Sequence, residues 1–397
     1  MIRRIPTAGT PLSFGETARG ILGFAEQEKA IADFRSVLRN FLEVENLSVV
    51  NSGTTAFFIL LQLFKELRSS KNRDEVILPA YTAPSLLLPI RAAGLKTRLI
   101  DIDSNTFNMD IKQLPSVISE RTLAVMPIHM FGLPCKIDPI IALAKNHGFF
   151  VVEDAASSLG TTIDGKQTGT IAPFGFYSLN RGKNISTMAG GIIVWKDKQL
   201  SQKIENLVAD LQTLPPHAQA IMTLKMIGLS LAVRPLFYSL LSPIISKFKY
   251  TTLHTHFDSF QLTTMQAGLG KKLWKHADDL TKRRQENGGS LITIFRNKDG
   301  FTIPTIPETA TVAFNQFPVI VHDLNRRKTL VDRLLAQGIE TTFLYEKPLH
   351  HIFPELNPGD DAFPNATYLA EHLLLIPPHV QISPTIIKKI QNVVETI

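Results

Sequence analysis

The order of residues predicts an α/β protein, a large and mostly parallel sheet with helices on both faces, followed by a smaller α/β domain. Three observations carry this expectation. Short β-branched runs alternate with helical stretches from about residue 44 to Trp195. The chain has 397 residues, more than one typical domain holds. A second strand-like stretch, Thr311 to Val321, opens only after a long polar helix. The expected division is an N-terminal segment with a helix (1–45), a large domain (46–260) with an apolar insertion near 211–250, and a linking helix with a small domain (261–397).

The elements follow in order. Apolar positions at helical spacing (Ile31, Phe34, Val37, Leu38, Phe41) predict a helix over about 24–43. Strands are predicted at Leu47 to Val50, Val76 to Leu78, Arg98 to Ile102, Leu123 to Met126, Phe149 to Val152, Phe174 to Ser178 and Gly191 to Trp195. Helices are predicted at Thr55 to Leu67, Pro84 to Ala93 and Pro139 to Asn146. The last has Asp138 as its expected N-cap and Gly148 just past its end. From Leu211 to Tyr250 the chain is apolar, poor in charge and broken by Pro215, Pro216, Pro235 and Pro243. The next helix, about Leu262 to Phe295, carries Lys271, Lys272, Lys282, Arg283 and Arg284, expected as a solvated face. Helices near Arg326 to Gln337 and Pro384 to Ile397 close the small domain.

Composition narrows the class. Apolar residues are 44% and charged residues 19%, which supports a packed core and argues against disorder. The net charge of +7 is spread along the chain with no basic block among aromatics, so nucleic acid is not the expected partner. Phosphorylated small molecules or an anionic membrane suit it better. The single cysteine, Cys135, allows no internal disulfide and fits a reducing compartment. The first residues have charge without an apolar core behind them, so no signal peptide is read, and a cytoplasmic location is expected.

Three places carry chemistry. Ser52-Gly53-Thr54-Thr55 lies between a strand and a helix, where backbone N–H groups and the helix dipole favour an anion, although an ordinary N-cap reads the same way. Glu153-Asp154-Ala155-Ala156 puts a carboxylate at the end of a buried strand, where it can meet a ligand. A ring nitrogen, a metal or a turn cap are the alternatives there, and the metal lacks neighbouring ligands. Ser178 and Lys183 follow another strand. Lysine is the side chain that forms a Schiff base with an aldehyde, and a crevice would lower its pKa. An anion site, an acid and then a Ser with a Lys stand in the order a pyridoxal phosphate enzyme requires.

Further motifs give the resemblance. Val76-Ile77-Leu78-Pro79-Ala80-Tyr81-Thr82, Asp101-Ile102-Asp103 and Ile128-His129-Met130-Phe131-Gly132-Leu133-Pro134 resemble the DegT/StrS family of sugar aminotransferases. So do Glu153-Asp154-Ala155-Ala156, Ser178 with Lys183-Asn184, Met265-Gln266-Ala267-Gly268-Leu269-Gly270, and Tyr345 with Pro348-Leu349-His350. The resemblance covers most of the chain. It implies a pyridoxal 5'-phosphate-dependent transferase of fold type I, acting as a homodimer. It makes Lys183 the Schiff-base lysine and general acid/base, and Asp154 the partner of the pyridine nitrogen. Gly53, Thr54 and Ser178 become phosphate contacts. Four places depart from the family pattern: Ala83 where an aromatic ring often stacks, Ser157 where Gln or His follows the Asp-Ala-Ala run, Ala189 for an acid, and Ser259 for an Asn that reaches the partner subunit's phosphate, with Gln261 for a nearby Arg. Ser157 and Ser259 stay among the expected cofactor contacts.

The expected function is amino transfer from glutamate or glutamine to a keto-sugar on a nucleotide or lipid carrier, for polysaccharide or glycolipid synthesis. The alternatives are another pyridoxal phosphate reaction, such as dehydration, and a non-catalytic regulatory role. Lys183 argues against dehydration, because dehydrating relatives carry histidine there. The run 222–250 has two readings: a peripheral contact with an anionic membrane, or an interface packed against protein. Its charges are Lys225, Arg234, Lys247 and Lys249, all positive.

Overall fold

The computed structural model describes residues 4–7, 13–232, 256–359 and 362–397. Seven strands form the main sheet: β1 (Asn46–Val50), β2 (Glu75–Pro79), β3 (Lys96–Ile100), β4 (Thr122–Val125), β5 (Phe150–Asp154), β8 (Phe174–Ser178) and β9 (Gly191–Trp195). Their order is β1-β9-β8-β5-β4-β2-β3. The pairings from β8 through β3 are parallel, and β9 is antiparallel to both of its neighbours. Six strands therefore run one way and β9 runs against them. All seven expected strands are present, with ends shifted by up to two residues. Apart from the edge strand β3, whose Lys96 and Arg98 are exposed, these strands are buried along most of their length, which is why they read as continuous apolar runs rather than alternating ones.

Between β5 and β8 lie two short strands, β6 (Thr162–Ile163) and β7 (Lys166–Gln167). The expected strand over 311–321 is two pieces: β11 (Ala310–Thr311) pairs with β6, and β12 (Phe317–Val321) lies between β10 (Phe301–Thr302) and β13 (Leu373–Ile376). Helices Leu324–Ala336 and Pro384–Glu395 flank that small sheet as expected. One apolar cluster runs from Phe57, Leu78 and Phe176 of the main sheet region to Phe314, Val319 and Leu374, joining the two sheets.

Several expectations are corrected. Two helices, Phe14–Glu26 and Glu28–Leu42, replace the single one over 24–43. The first is started by a capping box between Ser13 and Glu16. Asp138 sits inside the first turn of Asp138–His147 and Ile137 is the N-cap, although Gly148 does end the helix at φ 70°. The long helix over 262–295 is Thr264–Leu273 and Ala277–Phe295, separated by a short 3-10 turn at Trp274–His276. Thr264–Leu273 packs on Phe14–Glu26 so closely that a Cβ at Gly23 would lie 2.3 Å from the Thr264 carbonyl oxygen. Arg284 is not solvated. It is 3% exposed, on the stripe with Gly288, Leu291 and Phe295, and it donates to the carbonyls of Phe314 (2.9 Å) and Asn315 (3.1 Å). Burial lowers its pKa to about 10.

The apolar run splits as well. Pro216–Ala232 is a helix whose Met226 is buried, its thioether touching the Gly20 position of the first helix, while Ile221 and Leu224 are exposed. Residues 233–250 of the run lie outside the described residues. Among the described residues, no helix is long and apolar enough to cross a membrane.

The N-terminal residues are tied to the far end of the chain. Ile5 bridges Ile339, and His379 Nε2 donates to the Pro6 carbonyl at 2.8 Å while its Nδ1 faces the Gln381 N–H. Burial first, and then Arg284, push the His379 pKa down to about 4 from 6.5. Its folded pKa is below its unfolded one, so the unfolded chain binds more protons between those values. Stability from this residue is full above pH 6.5 and is lost as pH falls toward 4, about 2 kcal/mol of it by pH 5. Urea midpoints at pH 7 and pH 5 should therefore differ less in His379→Gln than in the wild type. An identical acid loss in both would remove His379 as a cause.

Candidate active site

Every element that carries a candidate residue reaches the same edge of the main sheet, beyond the carboxyl ends of its parallel strands, where such sheets hold ligands. β1 ends at Val50, β8 at Ser178, β5 at Asp154 and β2 at Pro79, so neighbouring strands deliver their following loops into one crevice.

At β1, Ser52 caps the helix Gly53–Leu67, its Oγ accepting from the Thr55 N–H at 3.0 Å and lying 2.9 Å from the hydroxyls of Thr54 and Thr55. The helix start is pressed against β8 and β9. A Cβ at Gly53 would lie 2.9 Å from Ser178 Cβ, and one at Gly191 would lie 2.1 Å from the Ser52 carbonyl oxygen. Only glycines allow that approach. Gly53, Thr54 and Ser178 are thus brought together around a helix N-terminus, a cradle whose hydroxyls and dipole suit a phosphate.

At β5 the paired acids divide by strand alternation. Glu153 turns to the far side, where it accepts from the Gly169 N–H (2.8 Å), the Ala172 N–H (2.5 Å) and His129 Nε2 (2.9 Å). The Cys135 N–H donates to His129 Nδ1 at 3.0 Å, so Nε2 carries the ring proton and donates it to Glu153. Asp154 faces the crevice, 5% exposed, and accepts from the Ala156 N–H at 2.9 Å. Burial raises its pKa, opposed by Lys183, that N–H and His129. A cation beside this carboxylate is favoured, as a protonated ring nitrogen would be.

At β8 the chain turns back at Ser178, whose Oγ accepts from the Asn180 N–H at 3.3 Å. Lys183 then points over β5, with Nζ donating to Ser157 Oγ at 2.9 Å. Burial lowers the Lys183 pKa and Asp154 partly restores it, so the amine gives up its proton more easily than a free lysine while staying within electrostatic reach of the carboxylate. Asn184 fixes this loop by donating to the carbonyls of Leu159 (2.8 Å) and Ala313 (2.9 Å). A nucleophilic amine, a buried carboxylate and an anion cradle are what pyridoxal phosphate requires, and the residues fit it.

The other expected contacts fare differently. Ser157 meets Lys183 directly. Ser259 lies two residues before Gln261, which bridges Val50, and the Phe260 carbonyl accepts from the Asn51 N–H at 3.1 Å. That places Ser259 beside the start of the cradle helix. Gln261 turns its amide to the carbonyls of Ala209 and Leu211, both at 3.0 Å. Ala189 uses its carbonyl to hold Gln266 Nε2 at 2.7 Å, and Ala83 packs on the core.

Some roles were not read from the sequence. Asp101 clamps the main sheet to the start of the helix Pro364–His372, accepting from the N–H groups of Ile102, Asn365 and Ala366 at 2.9–3.0 Å. Its position at the end of β3, ahead of the distant Pro364, gives no local signal. Tyr345 stands against Tyr81, ring centroids 5.8 Å apart, close enough to Asp154 for the carboxylate to add to the upward push of burial on its phenol. The motif containing Tyr345 was visible, but its arrival at Asp154 needed the fold. Among the described residues no group of three His, Cys, Asp or Glu could hold a metal.

Residues 22–397 match the model of the DegT/DnrJ/EryC1/StrS aminotransferase family. The chain is 27% identical over 361 residues to the spore coat polysaccharide biosynthesis protein SpsC of Bacillus subtilis, covering 89% of this chain and 86% of that one. It is 34% identical over 154 residues to a GDP-4-keto-6-deoxy-D-mannose 3-dehydratase of Yersinia pseudotuberculosis, covering 38% and 39%. The crystal structure of the sugar aminotransferase CalS13 from Micromonospora echinospora superposes with a TM-score of 0.78 at 20% identity, covering 99% of each chain. With its match over nearly the whole length, its fold type I sheet and a crevice that fits pyridoxal phosphate, the chain belongs to the DegT/DnrJ/EryC1/StrS family of pyridoxal phosphate-dependent aminotransferases.

Proposed function

We propose that this protein transfers an amino group from glutamate or glutamine to a keto-sugar, on a nucleotide or lipid carrier, for a polysaccharide or glycolipid. The observation that carries the reading is the Lys183 amine, its pKa lowered by burial, held over the Asp154 carboxylate at the ends of adjacent parallel strands. Pyridoxal phosphate, when bound, supplies an aldehyde that accepts the amino group and a ring that takes up an electron pair. Lys183 would hold the aldehyde, Asp154 the ring nitrogen, and Gly53, Thr54 and Ser178 the phosphate. Lys183 Nζ, whose lowered pKa eases loss of its proton, would take the proton from the donor's α-carbon and would return one to the acceptor's carbon in the second half of the transfer. Asp154, poorly solvated, would be stabilised by a cationic ring nitrogen opposite it and would keep the proton there.

A lysine rather than a histidine at 183 supports amino transfer over dehydration, although relatives such as the Yersinia protein are named dehydratases. The keto-sugar class is supported by the name of that same relative, and the polysaccharide role by the name of SpsC. A homodimer in which Ser259 approaches the partner subunit's phosphate is part of the proposal, as is a peripheral membrane contact through residues 222–250, of which Leu224 is exposed. The test is spectroscopic: glutamate or glutamine should bleach the yellow cofactor-loaded protein and yield one pyridoxamine phosphate per site. Bleaching by neither amino acid would overturn the donor assignment.

A further inference from the structure

We infer that Ser157 is a positioning residue for the Lys183 amine rather than a contact of the cofactor; the inference rests on the reading of Lys183 given above. The hydrogen bond from Lys183 Nζ to Ser157 Oγ is 2.9 Å long, and both ends are fixed by independent anchors. On the Ser157 side, the Asp154 carboxylate holds the Ala156 N–H at 2.9 Å, and the Ser158 N–H donates to the Ala155 carbonyl at 3.1 Å, so the turn leaving β5 has one course. On the Lys183 side, the Lys183 N–H donates to the Asn180 carbonyl at 3.2 Å and Asn184 ties the next residue to Leu159, just beyond the same turn. The two loops are therefore stitched together at 157–183 and 159–184, side by side.

The chemistry gives that stitch a purpose. A neutral primary amine has two N–H bonds and one lone pair, and the lone pair makes the new bond to an aldehyde carbon. When one N–H is donated to Ser157 Oγ, rotation about the terminal C–N bond is restricted and the lone pair is turned away from Ser157. Capture then replaces the C=O double bond of the aldehyde with a C=N double bond. The amine loses two protons, the oxygen leaves as water, and nothing is oxidised or reduced. A hydroxyl reaches only to the amine. The longer Gln or His that the family places here would extend further into the crevice, so the serine leaves space there as well as a fixed lysine.

The experiment uses cofactor-free protein and two probes, pyridoxal phosphate and pyridoxamine phosphate, the second of which has no aldehyde to capture. Rates of appearance of the covalent absorbance band are followed by stopped flow, and the adduct is located by borohydride fixation and peptide mass. Ser157→Ala should slow capture at pH 7 about tenfold, the effect of one hydrogen bond. It should leave pyridoxamine phosphate affinity unchanged, and Ser157→Thr, which keeps the hydroxyl, should restore most of the rate. Capture by the Ala variant at the wild-type rate would overturn the inference. So would a loss of pyridoxamine phosphate affinity in step with the rate, which would make Ser157 a cofactor contact after all. Wild-type capture on a lysine other than 183 would overturn the reading of Lys183 itself, and is distinguishable by the mass of the fixed peptide.

Discussion

Lys183→Ala is expected to abolish covalent capture of pyridoxal phosphate and, with it, amino transfer. Among the described residues, Lys183 is the lysine whose amine reaches the turn after β5 from the loop after β8. The same side chain is asked to hold the aldehyde and to carry a proton, so its loss removes both tasks. General acid–base help alone is typically worth about 10²–10⁴-fold, and loss of the nucleophile adds to that. The variant should still fold, because the loop keeps its Asn184 bonds to Leu159 and Ala313. Borohydride-fixed protein analysed by mass should show no adduct in the variant, against one per chain in the wild type. The pH dependence has a sign. Burial lowers the Lys183 pKa, so capture by the wild type should persist to lower pH than capture by a free alkyl amine.

The second large effect is expected from Asp154→Asn. The amide keeps the size of the side chain and can still accept from the Ala156 N–H, so the turn should survive. It carries no charge and cannot keep a proton on a ring nitrogen. Amino transfer should fall by roughly 10²-fold or more, equivalent to about 3 kcal/mol of transition-state stabilisation. Capture of the aldehyde by Lys183 should continue, though with a lower lysine pKa once the nearby carboxylate is gone. Single-turnover rates with glutamate, compared with the rate of capture, separate the two effects. Near-wild-type turnover in the variant would pass the role to another group.

Much of this site was legible because parallel strands announce themselves as apolar runs and their ends are punctuated by the reactive residues. Asp154 and Ser178 stand as the last residues of their strands, and Ser52 stands just after one. What was not legible came from contacts between distant residues. Nothing around Ser157 says that a lysine 26 positions later will reach it. Asp101 looked like one acid in a motif, and only the packing of residues 364–366 makes it a clamp. His379 is held by the Pro6 carbonyl, 373 residues away. Arg284 is a different case. Its spacing to Gly288, Leu291 and Phe295 put it on the inner face, but a cluster of basic residues around it suggested water.

The short N-terminal arm has a consequence for synthesis. Ile5 receives its partners only when Gly338 and Glu340 exist, and Thr7 waits for Gln316 to donate to its carbonyl. At ribosomal rates of about 5–20 residues per second, the arm emerges and then waits roughly 20–70 s before it can dock. The helix Phe14–Glu26 waits in the same way for Thr264–Leu273. The main sheet, complete by Trp195, has its strands before any of this happens, so the beginning of the chain is among the last parts to be put away. Chains stalled before residue 338 should leave the Ile5 amide open to hydrogen exchange, and the finished protein should protect it.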